Sequence, residues 1–361
     1  MKLKILVTPG DGIGPEVMYE AIEVLKDVMA AGGHTLEMDT KRIGGIAIVQ
    51  DGTPLPEDTV KAALDSEAVF LGAVGGNEFN SMPPDKRPEA GLLGIRAALG
   101  GFANLRPAFA FKETCVNSPL RPEIIEGTDI MFVRELLGGL YYGKPRGYDP
   151  VKGVGFNTMI YTRDEVARVA RVAFQLAQKR RKKLCSADKA NVLEVSQLWR
   201  AVVIEVAKEF PDVELEHQYI DAMTMHIMNR PKDFDVVVTE NTFGDIISDE
   251  SSVITGSLGM LPSATIGGKI NLYEPIHGSA PNSAGKNRAN PIATILSAAM
   301  LLRYTANLEE EAALIEKTVR KVLENGFRTR DLVRHGAEGF KVLTCTEMGA
   351  KIRETLKQMM A

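Results

Sequence analysis

The segment Asn241-Thr242-Phe243-Gly244-Asp245-Ile246-Ile247-Ser248-Asp249-Glu250 follows an apolar run and carries two carboxylates four positions apart. On a helix that spacing puts Asp245 and Asp249 on one face. Two like charges so placed repel unless something offsets them. A hard divalent cation such as Mg2+ or Mn2+, which prefers carboxylate oxygen, would do so. Two solvated acids near a helix start fit the string as well, and spacing alone leaves both readings open. Lys189, in Ser186-Ala187-Asp188-Lys189-Ala190-Asn191-Val192, follows a short apolar stretch among small residues. A partly desolvated lysine there could accept a proton; an ordinary surface lysine is the plainer alternative. Arg96, Arg106 and Arg134 could hold a di-acid, because a guanidinium binds carboxylate with two parallel hydrogen bonds. Spacing does not say whether the three converge.

Two further strings bear on ligands. If Glu89-Ala90-Gly91-Leu92-Leu93-Gly94-Ile95-Arg96 is helical, positions 89, 92, 93 and 96 share a face with an acid, two leucines and an arginine. That face suits a molecule with an apolar branch and a carboxylate, and equally an ordinary amphipathic helix. Tyr273-Glu274-Pro275-Ile276-His277-Gly278-Ser279-Ala280-Pro281-Asn282, with Asn290-Pro291 ahead of a helix, could cradle phosphate or adenine. His277 there is as good a structural histidine as a cofactor contact. Gly10-Asp11-Gly12-Ile13-Gly14 is not a Rossmann fingerprint, because its third glycine comes too early for G-x-G-x-x-G.

The elements that must carry these residues read as α/β. Residues 4–8, 68–74, 130–133, 213–219 and 234–239 read as strands, and the fully apolar run 68–74 suggests a strand covered on both faces. Residues 163–179, 192–210, 290–304, 309–325 and 347–359 read as helices, as does the stretch after Pro15. The run Lys179-Arg180-Arg181-Lys182-Lys183 reads as a solvated basic cap complementing a helix dipole. No repeat, low-complexity tract or linker divides the chain, so two domains would share chain crossings.

Composition excludes several classes. The 361 residues are 45% hydrophobic and 25% charged, as expected of a globular protein with a sizeable core. A net charge of −4 argues against nucleic acid as a partner. Cys115, Cys185 and Cys345 are scattered and form no CxxC pair, which points to reduced thiols in a cytoplasmic protein. The N-terminus carries no signal-peptide pattern, and the longest apolar run, 292–302, is too short to cross a membrane. No G-x-x-x-x-G-K-[ST] string supports phosphate transfer.

Taken together these strings resemble the β-decarboxylating dehydrogenases of the isocitrate/isopropylmalate dehydrogenase family. The likeness runs from Gly10-Asp11-Gly12-Ile13-Gly14-Pro15-Glu16 to the C-terminal helices. It is strongest in Arg87-Pro88-Glu89-Ala90-Gly91-Leu92-Leu93, Phe102-Ala103-Asn104-Leu105-Arg106-Pro107, Tyr142-Gly143-Lys144-Pro145-Arg146-Gly147, Asp188-Lys189-Ala190-Asn191-Val192-Leu193-Glu194 and Ala289-Asn290-Pro291-Ile292-Ala293. The resemblance implies an α/β two-domain fold, not the common Rossmann fold, with the active site in the interdomain cleft. The first, cofactor-side domain would comprise residues 1–103 and 257–361, and the second, dimerisation and metal/substrate domain residues 104–256. It also implies a homodimer with shared active sites, Lys189 and Asp221 being given to the partner's site.

By the same resemblance Asp221, Asp245 and Asp249 surround Mg2+ or Mn2+. Tyr141, Lys189 and Asp221 are catalytic. Arg96, Arg106 and Arg134 hold the malate carboxylates, while Leu92, Leu93 and Val192 receive the isopropyl branch. Ile13, Glu89, Glu274, His277, Gly278, Ser279, Ala280, Asn282 and Asn290 bind NAD. The implied reaction is oxidative decarboxylation of (2R,3S)-3-isopropylmalate to 4-methyl-2-oxopentanoate, in leucine biosynthesis. Lys189, with Asp221, takes the hydroxyl proton, and Tyr141 protonates the enolate carbon.

Two positions depart from the family pattern. Asn282 stands where NAD-linked members carry Asp, beside Ser283, Lys286 and Arg288, which leaves NADP or mixed use open. Leu137 stands where isopropylmalate enzymes carry Thr, which keeps another 3-alkylmalate, D-malate or tartrate as alternative substrates. A silent regulatory subunit of the same fold should have lost an aspartate, the lysine or the tyrosine, and all are present.

Overall fold

The structure is a computed structural model and describes residues 1–333 and 338–360. The chain packs as two compact units, Met1–Gly101 with Phe111–Pro119 and Thr255–Ala361, and Phe102–Ala110 with Leu120–Ile254. Residues 111–119, assigned above to the second domain, therefore pack with the first unit. Their buried Thr114 and Cys115 hydroxyl and thiol both donate to the Phe111 carbonyl, at 3.1 and 3.3 Å.

In the first unit the strand Lys2–Gly10 lies between Thr35–Thr40 and Ala68–Ala73, both parallel to it. Ala68–Ala73 continues in parallel to Asn271–Pro275, which pairs antiparallel with Pro262–Ile266. The inner strand 68–73 is buried at every position, as its apolar run requires, whereas the edge strand 35–40 is largely exposed. Helix Gly14–Ala31 packs on Ile292–Leu301 and Cys345–Met360. Ile292–Leu301 is buried at every residue and passes into a π-helical turn, Leu302–Ala306.

The packing of Gly14–Ala31 on Cys345–Met360 has a consequence for stability. Glu20 is 4% exposed, and a Cβ at Gly349 would lie 1.9 Å from its Oε2. Burial pushes the Glu20 carboxyl from 4.5 up to about 7, with Arg353 opposing the shift. A carboxyl whose folded pKa is raised costs nothing below the unfolded value and destabilises increasingly as pH rises to about 7. Glu20→Gln is therefore expected to stabilise the protein by about 1–3 kcal/mol at pH 8 and by nothing measurable at pH 4. Thermal melts at both pH values check this; an equal gain at both would assign the effect to something other than ionisation.

In the second unit Ala103–Phe109 pairs antiparallel with Asp129–Glu135. The sheet continues in parallel through Val236–Thr239, Lys183–Asp188 and Glu214–Tyr219. Arg163–Gln178 begins at a capping box in which Thr162 accepts from the Glu165 amide. The basic run after this helix is not a solvated cap. Arg180 Nε donates to Oδ1 of buried Asp235 at 2.8 Å, and the Arg181 amide donates to Oδ2 at 2.7 Å. The other helices begin and end within three residues of the sequence reading, the largest shifts falling where helix gives way to turn: Glu194–Ala207 for 192–210 and Ile292–Leu301 for 290–304.

Candidate active site

Asp245 and Asp249 lie on helix Asn241–Glu250, which follows the strand Val236–Thr239 directly. Glu240 caps this helix, accepting from the Phe243 and Thr242 amides at 2.6 and 2.9 Å. The two carboxylates share a face and meet arginines that come from adjacent antiparallel strands. Arg134 Nη1 donates to Asp245 Oδ1, and Arg106 Nη1 lies 3.1 Å from Asp249 Oδ1 and 3.4 Å from Asp245 Oδ1. Arg106 sits in mid-strand, facing Phe132 in register. Both guanidinium groups are buried, 5% and 2% exposed as residues, while the carboxylates are more open. The arginines thus converge, and they already offset part of the acid–acid repulsion.

Tyr141 joins this cluster. It lies in the short 3-10 turn Gly139–Tyr141, and its hydroxyl donates to Asp245 Oδ2 at 2.8 Å. The Arg134 guanidinium lies over its ring, 5.7 Å from the centroid. Burial, and then the Asp245 charge, push the Tyr141 phenol up to about 12. A phenol so placed stays protonated at neutral pH and can deliver a proton. Burial also raises the Asp249 carboxyl, against the opposing pull of Arg106.

Lys189 follows the strand Lys183–Asp188, and its Nζ donates to Asp221 Oδ1 at 2.5 Å. This hydrogen bond holds the Asp221 carboxyl below its usual range. The strand end is fixed by buried Asp188, which accepts from the Ala190 amide at 2.8 Å and from Arg200 at 2.9 Å. Val192, three residues on, is 62% exposed. Among the described residues no three acidic, histidine or cysteine side chains form one metal-holding group. Asp245 and Asp249 suit a hard cation as an oxygen pair.

In the first unit, Pro88–Leu99 is a helix, which puts 89–96 on one element. Leu92 packs against the core formed by Leu6, Val69 and Ile95, and Leu93 is half-buried. Arg96 is engaged with a residue expected to bind cofactor: its Nη2 donates to Glu274 Oε1 at 2.6 Å and its Nε at 3.2 Å. Glu89 and Ser279 approach one another at Gly75, where a Cβ would lie 3.2 Å from Glu89 Oε1 and 3.4 Å from Ser279 Oγ. Ile13 donates its amide to the Ser279 carbonyl at 2.8 Å. Gly12, at φ +59°, could carry no side chain there, since a Cβ would fall 2.0 Å from that carbonyl.

The loop after Glu274 holds the remaining cofactor candidates. His277 Nδ1 is 3.0 Å from the Gly278 carbonyl, while its Nε2 is buried without a partner, and burial keeps the ring below the usual imidazole range. A neutral ring with one unpaired nitrogen fits a nucleotide that offers a hydrogen bond. Gly278, Ala280 and Asn282 are exposed, and Ala280 adopts the left-handed conformation at φ +40°. Lys286 Nζ donates to the Asn282 carbonyl oxygen at 2.6 Å. Asn290 faces inward: its Nδ2 donates to Asp331 at 3.0 Å and its Oδ1 accepts the Ile292 amide, so its side chain braces the loop.

Sequence reasoning missed three residues that organise these sites. Asp11 accepts from the amides of Gly45, Ile46 and Gly75 at 2.7–2.9 Å, which explains the glycine loop without any phosphate. Asn241 and Ser248 hold Arg134 and Arg106, at 2.7 Å in each case. A polar residue at a strand-to-helix junction beside the two acids was the available signal for Asn241.

A sequence profile described as isocitrate/isopropylmalate dehydrogenase matches residues 4–352. The 3-isopropylmalate dehydrogenase of Carboxydothermus hydrogenoformans is 52% identical over 356 residues, covering 98% of this chain and 94% of that protein. That of Aquifex aeolicus is 52% identical over 360 residues, covering 99% and 98%. Among solved structures, an isocitrate dehydrogenase from Methylococcus capsulatus superposes with a TM-score of 0.87 at 33% identity, covering 99% of this chain and all of that one. A β-decarboxylating dehydrogenase from Thermococcus kodakarensis gives 0.80 at 34%, covering 99% and 97%. With the paired aspartates, the arginines, the tyrosine and the lysine in place, this chain belongs to the isocitrate/isopropylmalate dehydrogenase family.

Proposed function

We propose that this protein oxidises and decarboxylates 3-isopropylmalate to 4-methyl-2-oxopentanoate with reduction of NAD, a step of leucine biosynthesis. The observation that carries the reading is the cluster of Tyr141, Asp245, Asp249, Arg106 and Arg134, in a chain that also pairs Lys189 with Asp221 and is half identical over its length to enzymes of that name. Asp245 and Asp249, with Asp221 of a second copy, would hold a divalent cation, which would supply Lewis acidity for the C2 oxygen, and a bound nicotinamide would supply the hydride acceptor. Arg96, Arg106 and Arg134 orient the malate carboxylates. Lys189, as the free amine, accepts the C2 hydroxyl proton, and Asp221 orients Nζ and balances the charge of the ammonium so formed. After loss of CO2 the Tyr141 phenol, protonated at neutral pH, delivers a proton to C3.

Leu92 and Leu93 on the helix 88–99, together with Val192, favour a branched apolar substituent. We assign the 277–290 loop, with Ile13 and Glu89, to NAD. Asp221 and Lys189 complete the site of a second copy, so the active species is a homodimer. Exposed apolar side chains on the second unit, among them Tyr148, Val151, Phe156, Leu198 and Met225, support that association. Among the described residues no helix is long and apolar enough to cross a membrane, and the three cysteines are free and buried, which supports a cytoplasmic setting.

Initial rates of nicotinamide reduction with Mg2+, for 3-isopropylmalate, D-malate and isocitrate, each with NAD and NADP, test the assignment. A high kcat/KM on 3-isopropylmalate alone supports it. Good turnover of another acid beside negligible turnover of 3-isopropylmalate would keep the reaction class and sink the substrate. Leu137, half-buried with its amide bound to Glu135 Oε1 at 3.0 Å, is then the residue to change. Asn282→Asp is expected to raise the NAD/NADP ratio of kcat/KM about tenfold, because a carboxylate repels a 2′-phosphate that an amide tolerates. An unchanged ratio would remove residue 282 from the ribose site.

A further inference from the structure

Asn241 is wholly buried and uses every hydrogen-bonding position of its side chain. Its Oδ1 accepts from Arg134 Nε at 3.0 Å and Nη2 at 2.7 Å. Its Nδ2 donates to the carbonyls of Leu136 and Gly138, both at 3.0 Å. The amide orientation is forced, since guanidinium only donates and a carbonyl only accepts. Its backbone amide donates to the Tyr161 hydroxyl at 3.0 Å.

These bonds reach three parts of the site at once. Arg134 is left with Nη1 on Asp245. The 136–138 backbone leads directly into the turn that carries Tyr141, and Tyr141 also bonds Asp245. The turn has no slack behind it. A Cβ at Gly138 would lie 2.5 Å from the Tyr161 ring, and one at Gly139 2.6 Å from its hydroxyl. The backbone can therefore approach Asn241 only as glycine.

Resting on the function proposed above, we propose that Asn241 is a positioning residue that sets Arg134 and the Tyr141 phenol against Asp245 as one unit. Its two halves have separable duties: the carbonyl end aligns Arg134, and the amide end holds the turn of Tyr141. A carboxamide fills both duties, whereas a carboxylate fills only the first.

Asn241→Asp keeps the acceptor for Arg134 and loses both donations to the turn. It is expected to lower kcat about tenfold and to leave the KM for the hydroxyacid within about a factor of 3. Asn241→Ala is expected to lower kcat similarly and also to raise that KM about tenfold. The KM for the nicotinamide should not move in either variant. In a Tyr141→Phe background, Asn241→Asp should cost less than about twofold more, because the phenol it positions is gone. Circular dichroism and melting curves establish folding. A folded Asn241→Asp with kcat within about threefold of the parent, or with losses additive to Tyr141→Phe, would overturn the proposal. So would failure of both variants to fold, which would assign Asn241 to stability alone. If the parent turned over no hydroxyacid, the functional reading would fall by itself. The tie would then be judged by amide exchange at 136–141, which faster exchange in Asn241→Asp supports and unchanged exchange refutes.

Discussion

Lys189→Met is expected to lower kcat about 1000-fold, within the range for removing a general base, with the hydroxyacid KM within about a factor of 3. Lys189 Nζ is tied to Asp221 at 2.5 Å and its side chain is one-quarter exposed, so methionine fills the same space without burying a lone charge. Asp221, two-thirds exposed, is left to solvent. Folding should therefore survive, and the loss should fall on the proton-transfer step. Steady-state rates on 3-isopropylmalate, with a melting curve beside them, separate the two. A kcat within tenfold of the parent would show that another group accepts the hydroxyl proton.

The second large effect separates the two aspartates of helix 241–250. Asp245→Asn removes charge from the point where Arg134, Arg106 and Tyr141 meet. It is expected to lower kcat/KM about 10000-fold, since cation affinity, arginine alignment and the phenol's partner are lost together. It should also cost about 2 kcal/mol of stability, because Arg134, only 2% exposed, loses a charged partner; this is reduced from a fully buried pair because Asp245 is one-third open to water. Asp249→Asn should raise the Mg2+ concentration needed for half-maximal rate by about tenfold or more without lowering Tm. Its carboxylate is half exposed and its charged form is already disfavoured by burial. Mg2+ titrations and melts of the two variants read the contrast. Equal Tm values for both would mean that the Asp245–Arg134 pair contributes nothing to stability.

Much of this molecule was legible in the chain itself. The continuous apolar run 68–74 announces a strand covered on both faces, and the structure buries every residue of the strand 68–73. The four-residue interval between Asp245 and Asp249 settles that they share a helix face. The stretch 89–96, read only as a face that a helix there would present, does lie on the helix 88–99. Local sequence suffices in these cases because the physics is local: side-chain period and like charges one turn apart.

What the chain could not announce is who meets whom across distance. Arg106 and Arg134 converge because antiparallel pairing sets Asn104 opposite Arg134 and Arg106 opposite Phe132, a register no local pattern encodes. Arg96 meets Glu274, 178 residues away. The basic run at 179–183 looks like a solvated cap until buried Asp235 claims two of its members. Asn241 shows no pattern of its own, yet four hydrogen bonds make its side chain a junction of the site. The sequence by itself determined the α/β elements, the helix face of the paired acids and the inventory of chemically able residues. Only the tertiary structure decided their partners, because a buried polar group takes whichever complementary group the packed sheets bring within hydrogen-bonding reach.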